Sequence, residues 1–282
     1  MKTVTKSASS AKELNQKIMN HLAELTRATD KARTSEEMLR YLDFCAKFHQ
    51  YSAGNIWLIM LAKPEASYVA GFHKWKSMGR WVRKGEHGIP ILAPILVKEE
   101  IKEDLKEKQL IGFTTVYVFD VSQTDGEPLP PVPDWKSPEK NQELTDLLMK
   151  FAESKGIKVT IEELHGECQG VSQGGSIVLS PEAGTKTLIH ELGHELLHQN
   201  MARWSIESKT MELEAESVAF VVAKHFGLND LNSPNYIALY KNEARDILGC
   251  TDRITRTAQE IIEFVEEVIN GSKTDRKTNT NA

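Results

Sequence analysis

The chain has 282 residues, 40% hydrophobic and 27% charged, with a formal net charge of −5, which is the composition of a globular protein with room for two domains of ordinary size. Its longest apolar run, Ile56 to Ala62, is far too short to span a bilayer, and its first residues lack the apolar core of a secretory signal. Three widely spaced cysteines, Cys45, Cys168 and Cys250, exclude a disulfide framework and a cysteine zinc cluster, so the expectation is a cytoplasmic protein with free thiols and no membrane partner.

The first elements are helical. Ser10-Ala11-Lys12-Glu13 reads as a capping box, followed at helical spacing by Leu14, Ile18, Leu22 and Leu25. Thr34-Ser35-Glu36-Glu37 opens a second helix through Leu39, Leu42 and Ala46. A third starts near Asn55 and must stop before Pro64. The pattern then changes to strands at Ser67 to Gly71, Ile89 to Val97 and Ile111 to Val121, with the charged stretch Lys98 to Lys108 expected as a helix or a solvated excursion.

Phe72 to Lys84 holds five basic residues, three aromatics and no acid, and Gly79, Gly85 and Gly88 break it into turns. Cations that hold phosphates, interleaved with rings on which bases stack, are what sequence-tolerant binding of a single strand requires. Lys74, Trp75, Lys76, Arg80, Trp81, Arg83 and Lys84 are the candidate nucleic-acid contacts. The competing expectation is a solvated hairpin with its tryptophans in the core. No residue pattern here reads a 2′-hydroxyl, so the choice between DNA and RNA stays open.

Four prolines between Pro128 and Pro133 make an extended linker, placed at 124–138. Charge divides there: residues 1–133 carry 19 Lys+Arg against 16 Asp+Glu, and the remainder 16 against 24. A mildly basic half joined to an acidic half suggests two jobs.

In the second half, Ser176 to Ser180 reads as a short strand and Ser180-Pro181-Glu182 as a helix start. Leu188, Ile189, Leu192, Leu196 and Leu197 form the apolar stripe of that helix, which carries His190-Glu191-Leu192-Gly193-His194. Histidines four apart lie on one helix face and can bind one zinc ion, while the intervening glutamate takes a proton from a water on that metal. The chemistry this allows is peptide hydrolysis.

A catalytic zinc wants a third protein ligand and one open position. The metzincin extension is absent, since Leu197 and Asn200 stand where its glycine and third histidine belong. His198 lies a further turn along, too far along the axis to share the ion easily, and is expected to flank the site or at most support a ligand from outside. A second amphipathic helix from Met211 to about Phe226, closed by Gly227, offers acids instead. Glu214 and Glu212 flank its buried stripe on opposite sides, so periodicity does not choose between them. Glu214, 20 residues after His194, is taken as the third ligand and Glu191 as the general base, with His225 as the fallback ligand. Tyr236, Tyr240 and His225 are the candidates for stabilising an oxyanion. The polar end, residues 271–282, is expected to be disordered.

Gly71-Phe72-x-x-Trp75-Lys76-x-x-Gly79-Arg80-x-Val82-Arg83-Lys84-Gly85-Glu86-x-Gly88-Ile89 resembles the signature of the ArdC-like single-stranded-DNA-binding domain. Tyr51-Ser52-x-x-Asn55, Ala93-Pro94 and Tyr117 to Thr124 also match that pattern, and Leu61-Ala62 departs from it where a glutamine is expected. His190 to His194 with Glu214 to Ala219 is similar to the zincin domain of ArdC antirestriction proteins and, more loosely, to the ImmA/IrrE metallopeptidases. The resemblance covers about residues 10–270. It implies an α+β chain of two domains: a helical plus antiparallel-sheet DNA-binding domain at 1–123 and a zincin-like metallopeptidase domain at 139–270. It further implies Zn2+ held by His190, His194 and Glu214, and a mobile-element protein that protects entering DNA from restriction. Partners would be single-stranded DNA and a DNA-associated protein substrate or restriction enzyme. Two other readings follow from the same residues: a non-proteolytic binding protein with a structural zinc, and an ImmA-like peptidase that cleaves a repressor.

Overall fold

The computed structural model describes residues 2–27, 31–101, 105–129, 138–166, 168–199, 208–228 and 243–279. Three helices lead the chain, α1 (Lys2–Arg27), α2 (Lys31–Lys47) and α3 (Ala53–Ala62). The chain divides into two compact units: Met1–Arg27 with Gly54–Pro130, and Ala28–Ala53 with Pro131–Ala282. It is α+β, and among the described residues no helix is long and apolar enough to cross a membrane.

In the first unit, α1 buries Leu14, Ile18, Leu22 and Leu25 on one stripe, as their spacing predicts. The helix begins eight residues before Ser10, so Ser10 caps nothing; its hydroxyl meets Thr115 Oγ1 at 3.1 Å. Likewise α2 begins at Lys31, ahead of the expected cap at Thr34. No glycine or proline precedes either box closely enough to stop the helix.

The strands of this unit are β1 (Val69–Gly71), β2 (Arg80–Val82), β3 (Ile89–Ile101), β4 (Leu105–Asp120) and β5 (Thr124–Gly126), with the short helix α4 (Phe72–Ser77) after β1. They form an antiparallel sheet of order β1-β4-β3 and a separate β2-β5 pair. Residues 98–101 and 105–108 of the charged stretch are strand, not helix or solvated excursion, and residues 102–104 lie outside the described residues. The strand residues lengthen both arms of the β3–β4 hairpin, whose register runs from Ile89↔Val118 to Ile101↔Leu105. Each arm pairs its backbone with the other's through the antiparallel ladder. The outer edge of β3 is met by Asn55, whose amide donates to Leu92 O (2.9 Å) and accepts from Leu92 N (2.8 Å).

Asp120 ties the end of β4. Its buried carboxylate accepts from the backbone N–H groups of Ser67, Tyr68 and Ser122, and Gln123 closes a capping box with it. Burial opposes its charge, but these bonds outweigh burial and hold its pKa below the usual value. Trp75 of α4 fills the core beneath, 0% exposed, with its indole N–H donating to Phe119 O at 2.9 Å.

The second unit contains α5 (Pro138–Ser154), β6 (Lys158–Ile161), β7 (Gly170–Ser172), β8 (Ser176–Leu179), α6 (Thr185–His198), α7 (Ser208–His225) and α8 (Ala244–Asn279). Its sheet has the order β6-β8-β7, with β6 parallel and β7 antiparallel to β8. Helix α6 starts after Gly184, not at Pro181; a turn from Ser180 O to Ala183 N intervenes. Helix α7 ends as its glycine predicts: Gly227 has φ 72°, with Gly227 N bonded to Lys224 O and Leu228 N to Ala223 O.

The predicted boundaries shift in three places. Helix α2, expected in the first domain, belongs to this unit because its buried Tyr41, Leu42 and Cys45 pack here, with Tyr41 Oη 3.0 Å from Thr255 Oγ1. Residues 124–126 of the expected linker are strand β5, while residues 130–137 of its proline stretch lie outside the described residues. The polar end expected to be disordered continues α8 to Asn279, where no helix breaker follows Gly271.

Trp75→Ala should lower unfolding stability by about 3–5 kcal/mol in urea titrations, whereas Trp81→Ala at the surface should change it by less than about 0.5 kcal/mol. His49, buried against His225, has no hydrogen-bond partner for either ring nitrogen among the described residues. Burial first, and then His225, hold its pKa down to about 4 against the pull of Glu266 and Glu263. Between about 6.5 and 4 the unfolded chain therefore takes up a proton that the native chain refuses, so stability falls as pH falls through that window. His49→Phe should flatten this part of the pH–stability curve; an unchanged slope would remove His49 from the account.

Candidate metal centre and nucleic-acid surface

Helices α6 and α7 meet at their small residues. A Cβ on Gly193 would stand 3.1 Å from Ala215 Cα, closer than packed side chains normally approach. This close approach sets the face of α6 between His190 and His194 against the first turns of α7. Three donor atoms converge there: His190 Nε2 is 3.1 Å from His194 Nε2, and the two oxygens of Glu212 lie 3.5 Å from one Nε2 each. A tetrahedral ion with bonds of about 2.0–2.1 Å places its ligands roughly 3.3 Å apart. Two imidazoles and a carboxylate at 3.1 to 3.5 Å fit that edge and that chemistry.

Glu214 does not join them. It is 0% exposed, and both its oxygens are engaged elsewhere: Oε2 with His198 Nε2 at 3.1 Å, and Oε1 with Arg253 Nε at 3.0 Å and with Arg253 Nη2. Two residues along a helix turn a side chain by about 200°, so Glu212 and Glu214 cannot serve the same point. Glu212, with its side chain 61% exposed, takes the place expected for Glu214. His225 lies elsewhere, bonded to Ala46 O at 2.8 Å and Glu266 Oε1 at 3.1 Å. Tyr236 and Tyr240 lie outside the described residues.

The outer nitrogens of both histidines are also met. His190 Nδ1 faces Glu216 Oε2 at 3.3 Å, and Lys186 Nζ holds the other oxygen of Glu216 at 2.5 Å. His194 Nδ1 faces His198 Nδ1 at 3.2 Å. Burial opposes a charge on His190, but Glu212 and Glu216 outweigh it and push its pKa up to about 9. Hydrogen bonds from His190 and then His194 hold Glu212 well below the carboxylate range. The pocket thus favours positive charge at the point where the three donors meet.

Glu191 leaves α6 toward β7, still close enough to His190, His194 and Glu212 to feel their charges. Burial raises its pKa, partly offset by His190, His194 and the Ser172 backbone N–H. Gly170 makes room for it, since a Cβ there would come within 2.9 Å of Glu191 Cγ and Oε1. Glu195, one turn further along α6, clamps the β7–β8 turn: it accepts from Ser172 Oγ (2.7 Å), Gly174 N (2.8 Å) and Gly175 N (2.5 Å). Glu195, Glu216, Arg253 and Gly170 escape the sequence reading. Glu195 alone leaves a signal there, as an acid three residues after Leu192 on the apolar stripe.

In the first unit the basic, aromatic tract separates into two sets. Trp75 is core and cannot touch a strand of nucleic acid. Arg80 is committed to its own chain, bonded to Thr124 Oγ1 (2.9 Å), Thr124 O (3.1 Å) and Gly126 O (3.3 Å). Arg83 is exposed but paired with Glu86 at 2.8 Å and Asp125 at 3.4 Å. Lys74, Lys76 and Lys84 are exposed, as is Trp81 at 59%. Phe72, which opens the tract and is not among the predicted contacts, joins this outer set at 52% exposed.

Residues 8–123 match the family model of the N-terminal domain of anti-restriction factor ArdC. Over 329 aligned positions the chain is 30% identical to an uncharacterized Bacillus anthracis protein, pXO2-81; the match covers 99% of this chain and 56% of that protein, so the chain spans about half its length. Two crystal structures of the antirestriction ArdC protein from plasmid R388 are also similar, the metal-free one with TM-score 0.48 at 20% identity and the Mn(II)-bound one with TM-score 0.45 at 18%. Each covers 77% of this chain and 83% of that one. Residues 8–123, the stretch that the family model matches, are thus similar to the N-terminal domain of anti-restriction factor ArdC.

Proposed function

We propose that this is a single-stranded-DNA-binding, zinc-dependent metallopeptidase-like protein of the ArdC antirestriction type. The observation that carries the metal half of the reading is the convergence of His190 Nε2, His194 Nε2 and the Glu212 carboxylate within bonding range of one point. These residues would hold the ion and leave its fourth position open, the arrangement of a catalytic site and not of a closed structural one. When bound, the ion supplies Lewis acidity and lowers the pKa of its water.

The chain's own residues supply the rest. Glu191 is the base: burial raises its pKa above that of a free carboxylate, the direction a group that accepts a proton from water and returns it to a leaving amine needs. Gly170 and the Ser172 N–H fix where its carboxylate stands. In the other unit, Lys74, Lys76 and Lys84 offer charge to phosphates, and Trp81 and Phe72 offer ring faces to bases.

Zinc titration tests the ligand set. Glu212→Ala should weaken Zn2+ binding by more than the roughly 10–100-fold that loss of an outer partner brings, and Glu191→Gln should leave it intact. With Zn2+ bound, hydrolysis of a mixed fluorogenic peptide library should fall about 10²–10⁴-fold in Glu191→Gln. Undiminished hydrolysis by that variant removes Glu191 from its role, and zinc binding by wild type without any hydrolysis favours the non-proteolytic alternative.

Affinity for an oligo-dT strand should fall linearly with salt on logarithmic axes. Replacing Lys74, Lys76 and Lys84 together by alanine should flatten that slope by about 2, from roughly 0.7 for each phosphate that is no longer neutralised. A flat response in wild type, or tighter binding to duplex, counts against the surface.

A further inference from the structure

His198 repeats the four-residue spacing of His190 and His194, yet it lies too far along α6 to bind the same ion. It is buried, its two ring nitrogens are both engaged, and they point in opposite directions along one line of groups. We infer that His198, Glu214 and Arg253 form an outer chain that fixes the ring orientation and tautomer of His194. The inference rests on the metal reading of His190, His194 and Glu212.

The direction of every hydrogen bond in the chain follows from one requirement. For His194 Nε2 to offer a lone pair to a cation, the ring proton must sit on Nδ1. His194 Nδ1 stands 3.2 Å from His198 Nδ1, so His194 donates and His198 accepts. His198 then carries its own proton on Nε2, and that nitrogen faces Glu214 Oε2 at 3.1 Å, an acceptor. The second oxygen of Glu214 accepts from Arg253 Nε at 3.0 Å, and Arg253 has only protons to give. Both ends agree: a donor-only guanidinium terminates the chain, and a lone pair directed at the ion begins it. Reversing any one bond would set two donors or two acceptors face to face.

Three helices contribute, since His198 belongs to α6, Glu214 to α7 and Arg253 to α8. The two ligand histidines are therefore held differently. His190 donates a hydrogen bond from Nδ1 straight to a carboxylate, Glu216, while His194 donates to the His198 imidazole, which in turn donates to Glu214. An ordinary buried histidine would need partners but not this polarity, and the polarity is what an experiment can read.

Zn2+ affinity is measured by competition with a chromophoric chelator for wild type, His198→Leu and His198→Gln. Leucine keeps the bulk and breaks the chain; glutamine can accept from His194 with its carbonyl and donate to Glu214 with its amide. The expected result is a loss of about 10–100-fold in His198→Leu and affinity within about threefold of wild type in His198→Gln. Loss in both variants, or in neither, overturns the chain while leaving the three ligands standing. Wild-type protein that binds neither Zn2+ nor Mn2+ overturns the metal reading itself. Imidazole 15N–1H correlation spectra of Zn2+-loaded wild type supply a readout that needs no variant to fold. His194 protonated on Nδ1 with His198 protonated on Nε2 supports the chain, and the opposite tautomer at either ring overturns it.

Discussion

The second unit depends on how closely α6 and α7 approach at Gly193 and Ala215. Glycine in a helix interior costs about 1 kcal/mol relative to alanine, and nothing in the local sequence needs its flexibility. What needs it is space: a side chain at 193 would meet the backbone of α7 at 3.1 Å. The glycine lies between the two histidines, and Glu212 lies three residues before Ala215. The packing of the helices and the convergence of His190, His194 and Glu212 are thus one geometric event. A larger residue at 193 would push α7 away and carry Glu212 out of reach of both imidazoles before any ligand was altered.

Once the helices are that close, α7 presents Glu212, Glu214 and Glu216 to a partly buried region that already holds Glu191 and Glu195 on α6. Five carboxylates so near one another would be prohibitive without partners. Each has one. Glu216 has Lys186 and His190, Glu214 has Arg253 and His198, Glu195 has a hydroxyl and two backbone N–H groups, and Glu191 has the Ser172 N–H. Glu212 faces His190 and His194, each 3.5 Å from one of its oxygens. The acid whose other partners are fewest is the one free to face a cation.

The helix bearing His190 and His194, the length of α7 and the glycine that ends it are all legible in the sequence, because each rests on local periodicity or a local stop. Which glutamate joins the two histidines is not. Glu212 and Glu214 flank the buried stripe of α7 symmetrically, and only Arg253, 39 residues after Glu214, breaks the tie by claiming it. The same limit explains the stretch from Lys98 to Lys108. Nothing local marks it as strand, since its reason for being extended is the opposite arm of its own hairpin. Helix α2 falls to the wrong half when proximity along the chain is the only guide, while its buried face fits the later helices.

The basic tract shows why a stretch that looks like a binding motif need not consist of binding residues. Trp75 is core, Arg80 ties β2 to the backbone of β5 and beyond, Asp120 and Gln123 gather backbone donors, and Gly126 leaves room for Gly79 O, which a Cβ would run into. Each of these positions is set by packing or by hydrogen bonds within the chain. Lys74, Lys76, Lys84 and Trp81 sit among them on the outside, where many residues would fold equally well. A cation or an exposed indole at such a position is not required by packing. The packed and bonded residues therefore describe the scaffold, and any grip on nucleic acid falls to the charges and rings that the scaffold leaves facing water.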